Sequence, residues 1–202
     1  MILRLLALMF AAAPLARAAS YPTVGAVAGI DYLKPQGSSG YYSFPNQGFV
    51  LGLAFPIEQL RFLPGSLFTL ETRLMRSGVK KWMTAGESLE SQSIGAGGQF
   101  EMARTPTGLS FHVGIGMRSS QYYLESPYDE AEGEVRRAYY RGSLGTVHVG
   151  LEQLEQEHRI AATLQFSSGT LLERHRVSGL SAERASLGLT SVAFAIAYVP
   201  VK

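Results

Sequence analysis

The side chains best equipped for acid–base, metal or electrostatic chemistry are Asp31, Glu71, Arg73, Gln99, Glu101, His112, Arg118, His148 and Arg159. Their spacing builds no familiar reactive centre. His112, His148, His158 and His175 are too scattered for metal-ligand spacing, and no glycine stretch leads from a strand into a helix as a phosphate loop does. No cofactor is expected. His175, Ser178 and Glu183 offer the residue types of a serine hydrolase. Residues three apart on a strand face opposite sides, however, so His175 cannot act as an in-line base for Ser178 without a turn between them.

The elements that carry these groups follow from a period-two alternation along nearly the whole chain. Leu109, Phe111, Val113, Ile115 and Met117 fall on one face, and Ser110, His112, Gly114, Gly116 and Arg118 on the other. Ile94, Ala96, Gly98, Phe100 and Met102 oppose Gln99 and Glu101, while Phe68, Leu70, Thr72 and Leu74 oppose Glu71 and Arg73. Similar segments run from Val24 to Tyr32, Gly48 to Phe55, Thr146 to Leu151 and Arg159 to Phe166. In the last segment, Ser186 to Val199, Leu187 and Leu189 are out of phase with Val192, Phe194, Ile196 and Tyr198, and a β-bulge near Ser191 is the expected cause. About eight strands result, an even number suited to an antiparallel up-and-down barrel.

Composition narrows the setting. The 202 residues are 46% hydrophobic and 17% charged, which excludes disorder as the main state, and the absence of cysteine rules out disulfides and thiolate metal sites. Met1 to Ala18 has the form of a signal peptide: Arg4, an apolar run from Leu5 to Ala13, Pro14, then Ala16-Arg17-Ala18 as a cleavage site. The expected organisation is a signal peptide over 1–18 and one barrel domain over 19–202, beginning at Ala19. Removing Arg4 and Arg17 from the 18 Lys+Arg leaves 16 against 16 Asp+Glu, so the mature chain is near neutral and no basic patch argues for nucleic acid. No later segment has the roughly 18 unbroken apolar residues of a transmembrane helix.

Alternation alone does not separate a transmembrane barrel from a soluble one. The polar face decides, being mainly Gly, Ser, Thr and Ala with scattered ionisable groups, which suits a cramped lumen better than a solvated exterior. Large apolar side chains then meet lipid, and Glu71, Arg73, Gln99, Glu101, His112, Arg118 and His148 form a luminal polar network. Glu101 and Arg118 are the expected partners of Glu71 and Arg73 on adjoining strands, since buried charges need pairing. Connections at Lys34–Gln47, Gly78–Gln92, Ser119–Arg137 and Gly169–Ala185 look long, and those at Glu58–Ser66, Ala103–Thr107 and Glu152–His158 short, the rim asymmetry of outer-membrane barrels. Tyr32, Tyr41, Tyr42, Trp82, Tyr122, Tyr123, Tyr139 and Tyr140 cluster toward the long loops, as an interfacial aromatic girdle or as caps on loop clusters.

Gly29-Ile30-Asp31-Tyr32, a polar loop, Gly48-Phe49-Val50-Leu51-Gly52-Leu53, and Glu71 with Gly78 seven positions on together resemble the outer-membrane protein β-barrel domain family of small bacterial barrels. Leu74 and Ser77 stand where that family's Glu-Leu-x-Tyr-x-x-Lys-Gly pattern has tyrosine and lysine. The chain's last strand, through Ser191, Ala193, Ile196 and Tyr198, is similar to the signal read by barrel assembly machinery, but continues through Val199-Pro200-Val201-Lys202. The resemblance implies a barrel and a location in the bacterial outer membrane. A monomer in contact with outer-membrane lipid and lipopolysaccharide is expected there, with an extracellular partner to be sought through the long loops. The resemblance carries no catalytic residue. Two alternatives stand beside it: a soluble periplasmic lipocalin-like barrel holding an apolar ligand, and a lipid A deacylase built on His175, Ser178 and Glu183.

Overall fold

A computed structural model describes residues 21–35, 39, 42–57, 66–77, 88–126, 136–155, 158–177 and 186–200. The leader, Tyr41, Trp82, Ser178 and Glu183 lie outside them. Eight antiparallel strands follow in chain order: β1 (Tyr21–Pro35), β2 (Tyr42–Pro56), β3 (Leu67–Ser77), β4 (Ser88–Arg104), β5 (Leu109–Ser126), β6 (Arg136–Glu155), β7 (His158–Val177) and β8 (Ser186–Pro200). Each pairs with its sequence neighbours, and β1 pairs with β8, closing the barrel. Closure satisfies the backbone of both strands that would otherwise be edges.

The alternation resolves into an inside and an outside. Val24, Ile30, Phe49, Leu51, Phe68, Leu74, Ile94, Phe111, Ile115, Met117, Val147, Val149, Ile160, Phe166, Phe194 and Ile196 are all exposed, although large and apolar. Asp31, Arg73, His112, Arg118, Glu152 and Gln165 are buried. This polarity is the reverse of a water-soluble protein's. Thr72 lies on the outer belt, and its hydroxyl donates to the Ser93 carbonyl at 3.1 Å, so the polar atom is satisfied within the wall.

Strand lengths depart from expectation. β5 has 18 residues and β6 and β7 have 20 each, well beyond the roughly 9–11 that cross a bilayer, and much of what reads as long loop is strand. The connection 57–66 is as long as 78–87, so the asymmetry between rims resides mainly in strand overhang. The four-residue turn between β4 and β5 is fully described: Gly108 takes φ 85°, its N–H donates to the Thr105 carbonyl at 3.1 Å, and the Thr105 N–H donates to the Leu109 carbonyl at 2.8 Å. A Cβ is disfavoured at that φ, which accounts for glycine there.

The bulge expected near Ser191 is absent. β8 keeps continuous register with both β1 and β7, and Leu187 and Leu189 point inward. They join Leu33, Phe44, Leu89, Tyr122, Tyr140, Leu144 and Leu171 in an apolar cluster inside the barrel near the overhanging rim. The change of phase is therefore a change in what the lumen contains, with an unbroken strand. Bulges occur instead between Glu101 and Ala103 in β4 and between Tyr139 and Tyr140 in the β6–β7 ladder. Tyr122 and Tyr140 lie on the inward faces of their strands and belong to the interior, whereas Tyr123 and Tyr139 form an aromatic pair with centroids 5.0 Å apart.

Candidate functional site: the barrel lumen

The lumen has three tiers. The uppermost, at the overhanging rim, is the apolar plug. Beneath it Asp31 is 2% exposed, and Ser191, Tyr122 and Asn46 hydrogen-bond its side chain, while Ser91 hydrogen-bonds Tyr122. These contacts tie β1, β2, β4, β5 and β8 together around one carboxyl group.

The middle tier is built around Glu71. Its Oε1 lies 3.0 Å from Arg73 Nη2 and 3.2 Å from Arg118 Nη2, so one carboxylate from β3 bridges a guanidinium on its own strand and another on β5. Both arginines are buried. The intervening strand β4 makes the bridge geometrically available, because it contributes only Gly95 between them, paired with Glu71 on one side and Arg118 on the other. A longer side chain at Gly95 would stand between acid and base.

His148 lies close enough to Glu71 for their charges to interact, and the His112 ring stands against it with centroids 5.9 Å apart. Each ring lies over a glycine on the facing strand, His112 over Gly150 and His148 over Gly114, and these are register partners. A Cβ at either glycine would run into the imidazole. Large and small side chains thus alternate across β5 and β6, the usual way to fill a narrow barrel. Beside this tier is a cavity of about 110 Å³, with Glu71, Arg73, Arg118 and His148 on one side and the small side chains of Ala161, Thr163 and Ala195 on the other.

The lowest tier lies at the short-turn rim. Arg159 Nε is 3.1 Å from Glu152 Oε1, Gln99 hydrogen-bonds Glu152, and the Arg159 guanidinium sits 5.4 Å from the centre of the Tyr21 ring. Glu101 belongs here and does not pair with Arg73. Its partner is Arg104, whose Nε donates to Glu101 Oε1 at 3.0 Å. The β4 bulge is responsible: one extra residue brings Arg104 opposite inward-facing Ser110, on the face that Glu101 occupies.

The seven residues of the expected network therefore divide. Glu71, Arg73, Arg118 and His148 share the middle tier, His112 touches it through His148 and stands opposite Glu101 in the ladder, and Gln99 and Glu101 belong to the rim with Glu152 and Arg159. Asp31 stands above them within its own ring of hydroxyls and amide, near enough to Arg118 for their charges to interact. The plug went unforeseen, although Leu144, Leu171, Leu187 and Leu189 signal it by sitting out of phase with the apolar faces of their strands. Among the described residues no group of histidine, aspartate and glutamate is arranged to hold a metal. His175 lies in β7 with its backbone opposite Tyr139, and the rest of the hydrolase arrangement falls outside the described residues.

No described protein family and no curated protein matches the chain. Solved structures do. The outer membrane protein OprG from Pseudomonas aeruginosa superposes with a TM-score of 0.51 at 12% identity, over 92% of this chain and 97% of that one. Ail, the attachment invasion locus protein of Yersinia pestis, gives 0.45 at 14% identity over 88% and 97%, and a major outer membrane protein from Thermus thermophilus gives 0.44 at 11% over 88% and 99%. At such identities the OprG likeness bears on architecture alone. The chain has the fold of the small outer-membrane barrels: all-β, antiparallel and closed at eight strands.

Proposed function

We propose that the protein spans the bacterial outer membrane as a side-chain-filled barrel with a structural or surface-interaction role and no enzymatic activity. The observation that carries this reading is the inverted polarity of the wall, with large apolar side chains exposed around the barrel while Asp31, Arg73, His112 and Arg118 are buried inside it. In water such a belt is costly, at about 25 cal/mol per Å² of apolar surface, whereas against acyl chains it is at home. An apolar ligand in the lumen is disfavoured by the same facts, because the cavity is faced by Glu71, Arg73, Arg118 and His148. The apolar plug above and the ion pairs below also argue against a continuous water channel. The overhanging rim faces outward in this reading, presenting the strand extensions and the connections 36–41, 78–87, 127–135 and 178–185 to an extracellular partner. Fractionation of cell envelopes with heat-dependent gel mobility tests it: the protein should sediment with outer membrane and migrate faster unheated than boiled. Recovery in the soluble periplasmic fraction would refute it.

A further inference from the structure

A notch of about 240 Å³ opens on the outside of the wall where β7, β8 and β1 meet near the overhanging rim. Tyr32, Lys34, Ser168, Gly188 and Thr190 line it. Gly188 creates the gap, since it pairs with Lys34 on one side and Thr170 on the other, and a Cβ there would meet nothing closer than the Lys34 carbonyl oxygen at 3.7 Å. The notch sits at a boundary in the wall's chemistry. One outward position lower on each strand stand Ile30, Val192 and Phe166, whereas at notch level the outward side chains are a phenol, an ammonium and three hydroxyls, counting exposed Thr170.

We infer that this notch is a binding site for the phosphorylated headgroup of a glycolipid in the outward leaflet, with Lys34 and the Ser168 and Thr190 hydroxyls on a phosphate and the acyl chains running down over Ile30, Val192 and Phe166. The inference rests on the transmembrane reading. Charge and depth agree: a cation with hydroxyl donors at the upper edge of an apolar belt meets phosphate there, and a charge-assisted hydrogen bond contributes more than a neutral one. The missing side chain at Gly188 supplies the room.

The test uses the full protein in phosphatidylcholine nanodiscs doped with lipid A or with lipid A stripped of its phosphates, and native mass spectrometry counts the retained glycolipid. Wild type should retain lipid A and lose the dephosphorylated form. Lys34→Gln should weaken retention about tenfold, as loss of one charge-assisted contact implies. Gly188→Leu, which fills the notch without a backbone clash, should weaken it at least as much. Heat-dependent mobility of each variant reports whether it is folded, and either variant suffices if the other fails to fold. Equal retention by folded variants and wild type, or equal retention of both glycolipids, overturns the site while leaving the transmembrane barrel intact. A wild-type chain that does not enter the bilayer overturns both.

Discussion

At the scale of single residues the lumen is governed by one carboxylate and by the absence of side chains opposite the histidines. Glu71→Ala would leave the Arg73 and Arg118 guanidinia buried without their shared counter-charge. Breaking a buried pair by removing one partner costs about 3–5 kcal/mol, so urea unfolding in lipid vesicles should show a loss of that size, partly recovered when Arg73→Met is added. A loss no larger than a surface substitution would mean that the Glu71 bridge contributes little. Two glycines on neighbouring strands make a paired test of packing. At Gly114 a Cβ meets the His148 ring and comes within 2.8 Å of the Gly98 carbonyl oxygen, whereas at Gly145 the nearest atom is the Ser168 carbonyl oxygen at 3.9 Å. Gly114→Ala should therefore cost about 1–3 kcal/mol by overpacking. Gly145→Ala should gain about 0.4–1 kcal/mol through the lowered entropy of the unfolded chain. Equal effects at both sites would contradict the luminal position of His148.

Strands were legible in the sequence wherever inside and outside differ in polarity, as from Leu109 to Met117. Alternation misleads where the two faces exchange polarity: along Ser186 to Thr190 the leucines point into the lumen and the outward residues are small or polar, and the pattern alone does not distinguish a plug from a slipped register. Tyr122 and Tyr140 were misplaced for the same reason, since tyrosine suits both an interface and a hydrogen-bonded interior. Three-dimensional pairing was less accessible than facing. Glu101 alternates correctly, but its partnership with Arg104 depends on a bulge that composition does not announce. If Leu189 belongs to the plug, Leu189→Ala should destabilise by about 2–5 kcal/mol, the range for a buried leucine, while the adjacent outward Thr190→Ala stays within about 0.5 kcal/mol. Reversed sizes would restore the bulge. At the β4–β5 turn, Gly108→Ala should cost about 1–2 kcal/mol for forcing a Cβ into the left-handed region at φ 85°.

For the molecule as a whole, a closed ladder with its polar groups inside and its apolar belt outside answers the demands of a bilayer, where unpaired backbone groups and exposed charges are both costly. The belt on β5 runs from Leu109 to Met117, beyond which Ser119 is exposed, so Val113 lies at its middle and Leu109 at its edge. Val113→Arg should destabilise the inserted barrel by about 2–4 kcal/mol, whereas Leu109→Arg should cost only about 0–1 kcal/mol. Vesicle unfolding titrations of the two variants give the gradient directly. Equal, large losses at both positions would point to a protein core in place of lipid. Contact between the wall's outer face and acyl chains can be tested with single labels, because the sequence contains no cysteine. Cysteines introduced at Val147, Val149 and Leu151, and separately at inward-facing Thr146 and His148, would carry a fluorophore in vesicles containing brominated lipid. Strong quenching is expected at 147, 149 and 151 and little at 146 and 148. Quenching at the even positions, or at none, would contradict contact between the outer face and lipid.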